Sequence, residues 1–267
     1  MTNLFPNNTY DTDPKSKRNF ISKITFNSRC YFFLRTAWVF YLTARCARRG
    51  RSHFNLDKQV YYCNKNIRTL ERCGAKIHLR GLDNLDSEEG PFVIIGNHMS
   101  SLETVVLNSI IGSRLKISFI FKSSLLKVPY LGTALMAQNS IPIDRVNPRE
   151  DFKTIITEGK NRLQNGHSVL VFPQSTRSPK LIPQEFNTIG VKLARAAEVK
   201  VIPLALKTDF LGRGKIFKDF GPLDKNKAVY FEFGAPITVE GNGRETHQQV
   251  IEFIQSRLDK WNEAEAR

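Results

Sequence analysis

The sequence predicts an α/β fold: a mixed, mostly parallel sheet flanked by helices, preceded by a basic helical segment. Three observations carry that prediction. Chain length of 267 residues, with 41% hydrophobic and 24% charged residues, suits one ordinary globular domain plus an appendage. From Gly81 onward, short runs rich in β-branched residues alternate with helical stretches. The charge is segregated: residues 1–80 hold sixteen Lys/Arg against four Asp/Glu, a balance of +12, and the remaining residues add only +3 to the total of +15.

Taken in order, residues 1–25 read as a polar, mobile tail with two prolines and no apolar core of a cleavable signal peptide. Residues 26–80 read as a basic, amphipathic helical segment for membrane association. Its aromatic stretch, residues 30–44, is shorter than the roughly 20 apolar residues a bilayer span needs and carries Arg35, which excludes a conventional polytopic membrane protein. Arg29 precedes it, and Arg45, Arg48, Arg49 and Arg51 follow. Basic side chains that snorkel beside Trp38, Tyr31 and Tyr41 suit a helix lying in the membrane interface. A core helix of the globular domain has the same composition and remains the alternative. Residues 55–73 continue as a second helix with Val60, Tyr61, Ile67 and Leu70 inward, ended by Gly74. Cys30, Cys46, Cys63 and Cys73 show neither C-x-x-C pairing nor zinc-ligand spacing, so free thiols in a reducing cytosol are expected.

Residues 81–267 form the α/β domain. Strands are expected at 92–96, 116–121, 141–144, 168–172, 201–206 and 229–233, with helices at 102–111, 130–137, 149–164, 188–197 and 245–262. Pro148 stands at a helix start, and Gly166 follows a helix end. Sheets of this class carry their chemistry on loops that leave the carboxyl ends of the strands.

The first such loop places His98 five residues before Glu103. A carboxylate at that spacing can reach one ring nitrogen, fix the tautomer and leave the other nitrogen as a base. Ser100-x-x-Glu103 is equally a capping box, in which Glu103 bonds back to the Ser100 amide. The pattern alone does not separate the two. Two later strand ends add Arg145 and, within Gln174-Ser175-Thr176-Arg177-Ser178, Arg177 with neighbouring amide and hydroxyl groups. Guanidinium groups at such loops are ready phosphate clamps.

The segments NHMSSLE (97–103), IPIDR (141–145), FPQSTRS (172–178) and VIPLAL (201–206) occur in the order and approximate spacing of the four motif blocks of the glycerolipid acyltransferases. The sequence resembles the 1-acylglycerol-3-phosphate (lysophosphatidic acid) acyltransferase family over residues 81–239. The resemblance implies the sheet-and-helix fold of the glycerol-3-phosphate acyltransferases. It also implies transfer of a fatty acyl group from a thioester of coenzyme A or acyl carrier protein to a hydroxyl of a lysophospholipid. His98 then serves as base, with Glu103 orienting it. Arg145 and Arg177, with Ser175 and Thr176, take the acceptor's phosphate, and Gln174 and Pro203 position the loops or the acyl side. No metal or cofactor is implied beyond the thioester cosubstrate. The departures are Glu103 in place of Asp, and Gln174-Ser175 in place of Glu-Gly in the third block. Oxyanion donors are sought among backbone amides near Ser100 and Ser101 or in the Gln174 loop.

The expected partners are an anionic membrane surface, a lysophospholipid and an acyl thioester, with the protein on the cytoplasmic face as a monotopic or peripheral component. A nucleic-acid partner would account for the charge but leaves His98, Glu103, Arg145 and Arg177 unexplained. The chain has no G-x-S-x-G nucleophile elbow, which counts against a lipase. An acyltransferase-like scaffold that binds lipid without chemistry is the remaining alternative.

Overall fold

The computed structural model describes residues 4–15, 20, 24, 28–50, 55–174, 176–214 and 218–266. Among these, the strands are β1 (Tyr10–Asp11), β2 (Ile77–Arg80), β3 (Val93–Gly96), β4 (Ile117–Lys122), β5 (Ile141–Ile143), β6 (Ser168–Val171), β7 (Val201–Lys207) and β8 (Val229–Phe233). The helices are α1 (Arg29–Arg48), α2 (Leu56–Arg72), α3 (Leu102–Gly112), α4 (Leu131–Ala137), α5 (Pro148–Gln164), α6 (Ile189–Ala197) and α7 (Arg244–Ala266). The strands form one sheet in the order β1-β2-β8-β7-β3-β6-β4-β5. Strand β3 runs parallel to β7 and β6, and β6, β4 and β5 continue the parallel half; β7–β8 and β1–β2 are antiparallel.

Every residue of β3, β6 and β7 is buried, because helices cover both faces of the sheet. Successive side chains along a strand therefore feed different cores. Ile94, Leu170, Ile202 and Leu206 pack with Ile67 and Leu70 of α2 and Val106 and Ile110 of α3. Val93, Ile95, Val169, Val171 and Val201 pack instead with Ile155 of α5, Val191 and Leu193 of α6, and Ile254 and Leu258 of α7. Helix α5 starts where Pro148 makes it start, with the Asn147 side chain accepting from the Arg149 amide.

The N-terminal third differs from expectation in three respects. First, the sheet begins inside the segment read as a tail. Tyr10–Asp11 pairs with β2, Phe5 is fully buried, and the Tyr10 hydroxyl donates to Glu71. Second, β2 lies in the sheet beside β8, so the boundary drawn at residue 80 falls at the end of a strand of the same domain. Tyr10–Asp11 is too short to show a period, whereas Ile77–Arg80 alternates apolar and polar residues with Ile77 and Leu79 buried, the period of a strand. Third, Tyr61 is exposed and Val60 half-buried, while Ile67 and Leu70 are fully buried; α2 completes its inward face with Gln59, Cys63, Asn66 and Thr69 instead.

Helix α1 has two faces. Phe32, Thr36, Val39 and Thr43, at helical spacing, are buried together with Ala44, and the helix packs on α2 and α4. Leu34 and Trp38 point outward at 71% and 49% exposure. The core-helix alternative thus describes one side of α1, and exposed apolar groups occupy the other. No helix among the described residues is long and apolar enough to cross a membrane. No disulfide joins the four cysteines, and burial pushes the Cys63 thiol up to about 12.

Candidate active site

The site is built where β3 ends. Asn97, nearly inaccessible, turns its side chain onto the backbone of β7: its amide donates to Leu206 O at 2.8 Å, and its carbonyl accepts from Leu206 N at 2.9 Å. One side chain so continues the β3–β7 pairing for a step after the strands diverge. The backbone of His98 is then gripped from the other side by the loop after β6. Its N–H donates to Gln174 Oε1 at 2.8 Å, and its carbonyl accepts from the Ser178 amide at 2.9 Å. The imidazole lies flat on Phe172, ring centroids 4.4 Å apart and planes 13° from parallel.

Glu103, in the first turn of α3, is fully buried and makes the contacts expected of both an orienting and a capping carboxylate. Its Oε2 meets His98 Nδ1. Its Oε1 accepts from the Met99 amide at 3.0 Å, the Ser100 amide at 2.7 Å and the Thr208 hydroxyl. A buried carboxylate demands donors for both oxygens, and these four groups supply them. Facing a carboxylate, Nδ1 carries the proton, so Nε2 is left as the acceptor; among the described residues it has no hydrogen-bond partner. The arrangement can take a proton at Nε2 and stabilise the resulting imidazolium through Glu103.

The other predicted residues are distributed around this pair. Because β3, β6, β4 and β5 run parallel, the loops carrying His98, Arg177 and Arg145 leave the same edge of the sheet. Gln174 is buried against His98, and Arg177, on the adjoining loop, is partly exposed and ion-paired with Asp219. Arg145 stands farther off, exposed at φ 58° just beyond β5, three strand spacings or roughly 14 Å from β3. Thr176 is exposed, and Ser175 lies outside the described residues. Pro203 sits inside β7, opposite Ile95 of β3, and on its other side it stands where the β7–β8 pairing ends, one residue before the Leu204–Phe233 pair. Its missing N–H is tolerated because it falls on the β8 side, where the ladder is irregular. There Val201 exchanges bonds with Ile237, and Pro203 O accepts from the Gly234 amide at 2.9 Å. Asn97, Thr208 and Asp219 are contributors that the sequence reading passed over. Asn97 directly precedes the histidine and was the one within reach of a local argument. Among the described residues, no group of three or more His, Cys, Asp or Glu is placed to hold a metal ion.

Comparison with known proteins gives this arrangement its context. The sequence profile of the Acyltransferase family matches residues 76–207. A 1-acyl-sn-glycerol-3-phosphate acyltransferase of Pseudomonas aeruginosa is 36% identical over 188 residues, which cover 70% of this chain and 68% of that one. The chain belongs to the 1-acyl-sn-glycerol-3-phosphate acyltransferase family. A chloroplastic acyltransferase of that description from Arabidopsis thaliana is 33% identical over 141 residues, 53% of this chain and 37% of the relative, so this family member spans well under half the length of the plant protein. The crystal structure of the 1-acyl-sn-glycerophosphate (LPA) acyltransferase PlsC from Thermotoga maritima superimposes with a TM-score of 0.67 at 18% identity, covering 90% of this chain and 96% of that one, a likeness of fold. The matched family span includes Asn97, His98, Glu103, Gln174 and Pro203, and stops one residue short of Thr208.

Proposed function

We propose that the chain transfers a fatty acyl group from a thioester of coenzyme A or acyl carrier protein to the free hydroxyl of 1-acylglycerol-3-phosphate, giving phosphatidic acid. The observation that carries this reading is the imidazole held at Nδ1 by a buried carboxylate, with no hydrogen-bond partner at Nε2 among the described residues. His98 Nε2 takes the hydroxyl proton as the oxygen attacks the thioester carbonyl. The tetrahedral intermediate then collapses with loss of the thiolate, which recovers that proton from the imidazolium. Glu103 stabilises the cation between these steps. Oxyanion donors come from the loop after β6 or from Ser101, because the Met99 and Ser100 amides are committed to Glu103 and the His98 amide to Gln174.

The acceptor's phosphate is taken by Arg177, with Arg145 approaching from the far side and Ser175 and Thr176 adding hydroxyl donors. Binding requires Arg177 to exchange Asp219 for phosphate, a replacement favoured by the dianionic, forked acceptor. Neither arginine needs to touch His98. Effective concentration supplies much of the rate enhancement once the headgroup is fixed.

A labelled acyl thioester presented with a panel of lyso-acceptors tests the assignment. Label is expected in phosphatidic acid, and His98→Ala is expected to lower turnover by about 10²–10⁴-fold with an unchanged circular-dichroism spectrum. Retained turnover would remove the base. Release of free fatty acid without acceptor would make the protein a hydrolase, and lipid binding without any product would favour the scaffold reading.

The same reading places the protein on the cytoplasmic face of a membrane as a monotopic or peripheral component. Leu34 and Trp38 of α1, together with Leu126, Val128, Tyr130 and Met136 around α4, are exposed apolar groups on elements that pack together. Arg45, Arg48 and Arg49 stand beside them, lining with Tyr41 and Tyr130 a cleft of about 340 Å³. Apolar insertion flanked by guanidinium groups suits an anionic leaflet. Replacing both Leu34 and Trp38 by Glu is expected to weaken sedimentation with anionic vesicles by about 10-fold or more. Undiminished binding would assign the membrane contact to another surface.

A further inference from the structure

Thr208 is the residue directly after β7, fully buried, more than a hundred positions from the loop it touches, and beyond the end of the matched family span. Its hydroxyl meets Glu103 Oε1, and Ser100 Oγ lies 3.0 Å from the same hydroxyl. The direction of each bond follows from what each atom can do. An ionised carboxylate only accepts, so Thr208 donates to Glu103. Its single proton being spent there, Thr208 can only accept from Ser100, whose hydroxyl must donate. Ser100 Oγ in turn accepts from the Leu102 amide at 3.2 Å. The donors converge on the carboxylate: Leu102 N–H donates to Ser100, Ser100 O–H to Thr208 and Thr208 O–H to Glu103 Oε1, while His98 Nδ1–H donates to Glu103 Oε2 from the other side. Two backbone amides would suffice to cap α3; the hydroxyl adds a donor to Oε1 from a different strand and ties the carboxylate to β7. With Oε1 so held, Oε2 is turned to the imidazole.

We propose that Thr208 is a positioning residue for acyl transfer, holding Glu103 so that Oε2 faces His98 Nδ1. The inference rests on His98 being the base. It predicts a defect confined to the chemical step. Thr208→Val, which keeps the shape and removes the hydroxyl, is expected to lower kcat by roughly 10-fold or more with KM within about 2-fold of the parent. Thr208→Ser, which keeps the donor, is expected to restore most of the rate. In the full-length protein the low-field N–H resonance of the His98 ring should move in Thr208→Val and stay in Thr208→Ser, a readout independent of turnover. Thr208→Ala, assayed in parallel, serves if the valine methyl disturbs folding, and is expected to show the same loss of kcat. Equal rates in the serine and valine variants, or an unmoved ring resonance in the valine or alanine variant, would overturn the proposal. An active His98→Ala would instead overturn the base assignment beneath it, whatever the Thr208 variants do.

Discussion

Replacement of Glu103 by Gln is expected to reduce kcat by about 10²–10⁴-fold while the protein stays folded, with an ordinary melting transition. The direction in which the new amide must face decides the effect. At the Oε1 position three donors converge, the amides of Met99 and Ser100 and the hydroxyl of Thr208. An amide oxygen satisfies all three, whereas an NH₂ group turned toward them would face three donors and leave each without an acceptor. The oxygen therefore takes the Oε1 place, and the NH₂ group is directed at His98 Nδ1. An N–H pointing at Nδ1 requires that nitrogen to be unprotonated, so the ring proton moves to Nε2 and the base is occupied. The variant keeps the cap and inverts the tautomer. Steady-state kinetics with a thermal melt checks this: near-normal turnover would show that the orientation of His98 does not depend on a carboxylate.

That prediction also shows where sequence reasoning stopped. The spacing from His98 to Glu103 and the Ser100-x-x-Glu103 box pointed to two roles, and five residues of sequence cannot decide between them, because a carboxylate has two oxygens and can serve both. The central strands were legible because a strand covered on both faces is written as an unbroken apolar run, as in Val93–Gly96 and in residues 201–206 of β7. Tyr10–Asp11 was not, being too short for any period and held in place by a partner far along the chain; Ile77–Arg80 does alternate apolar and polar residues, but its four-residue signal was absorbed into the basic helical segment read around it. Distance in sequence explains the other omissions. Asn97 is fixed by Leu206, Glu103 by Thr208, and Arg177 by Asp219, and none of these pairs leaves a local pattern. Helix α1 was ambiguous for a physical reason: it is apolar toward the core and carries exposed apolar groups on the other side, so its composition fitted two environments at once. The aromatic run announced hydrophobic surface without saying which side faced protein.

The largest effect on stability is expected at Lys207, the last residue of β7 and the neighbour of Thr208. Its side chain is only 3% exposed, yet its ammonium group meets Asp209 at 3.0 Å and Glu265 near the end of α7 at 2.5 Å; Lys227 reaches the other oxygen of Asp209 at 2.6 Å. Two cations and two carboxylates thus close the end of β7 against α7. Lys207→Met keeps the aliphatic stem but leaves Glu265 without its cation and Asp209 with Lys227 alone, and is expected to lower unfolding free energy by about 2–4 kcal/mol. The lower part of the usual range applies because Asp209 and Glu265 keep some access to water. Acid should erase the difference. Burial alone would raise the Asp209 carboxyl, but hydrogen bonds and charge from Lys227 and Lys207 outweigh it and hold the group below its ordinary 3.8. A carboxyl depressed in the folded state contributes its stability fully above the unfolded value and loses it as pH falls through the folded one. Urea unfolding of parent and variant should therefore show a wide gap at neutral pH that narrows on acidification below the ordinary carboxylate range. A gap independent of pH would mean that Lys207 acts through packing of its stem, and that the charges around it are solvated bystanders.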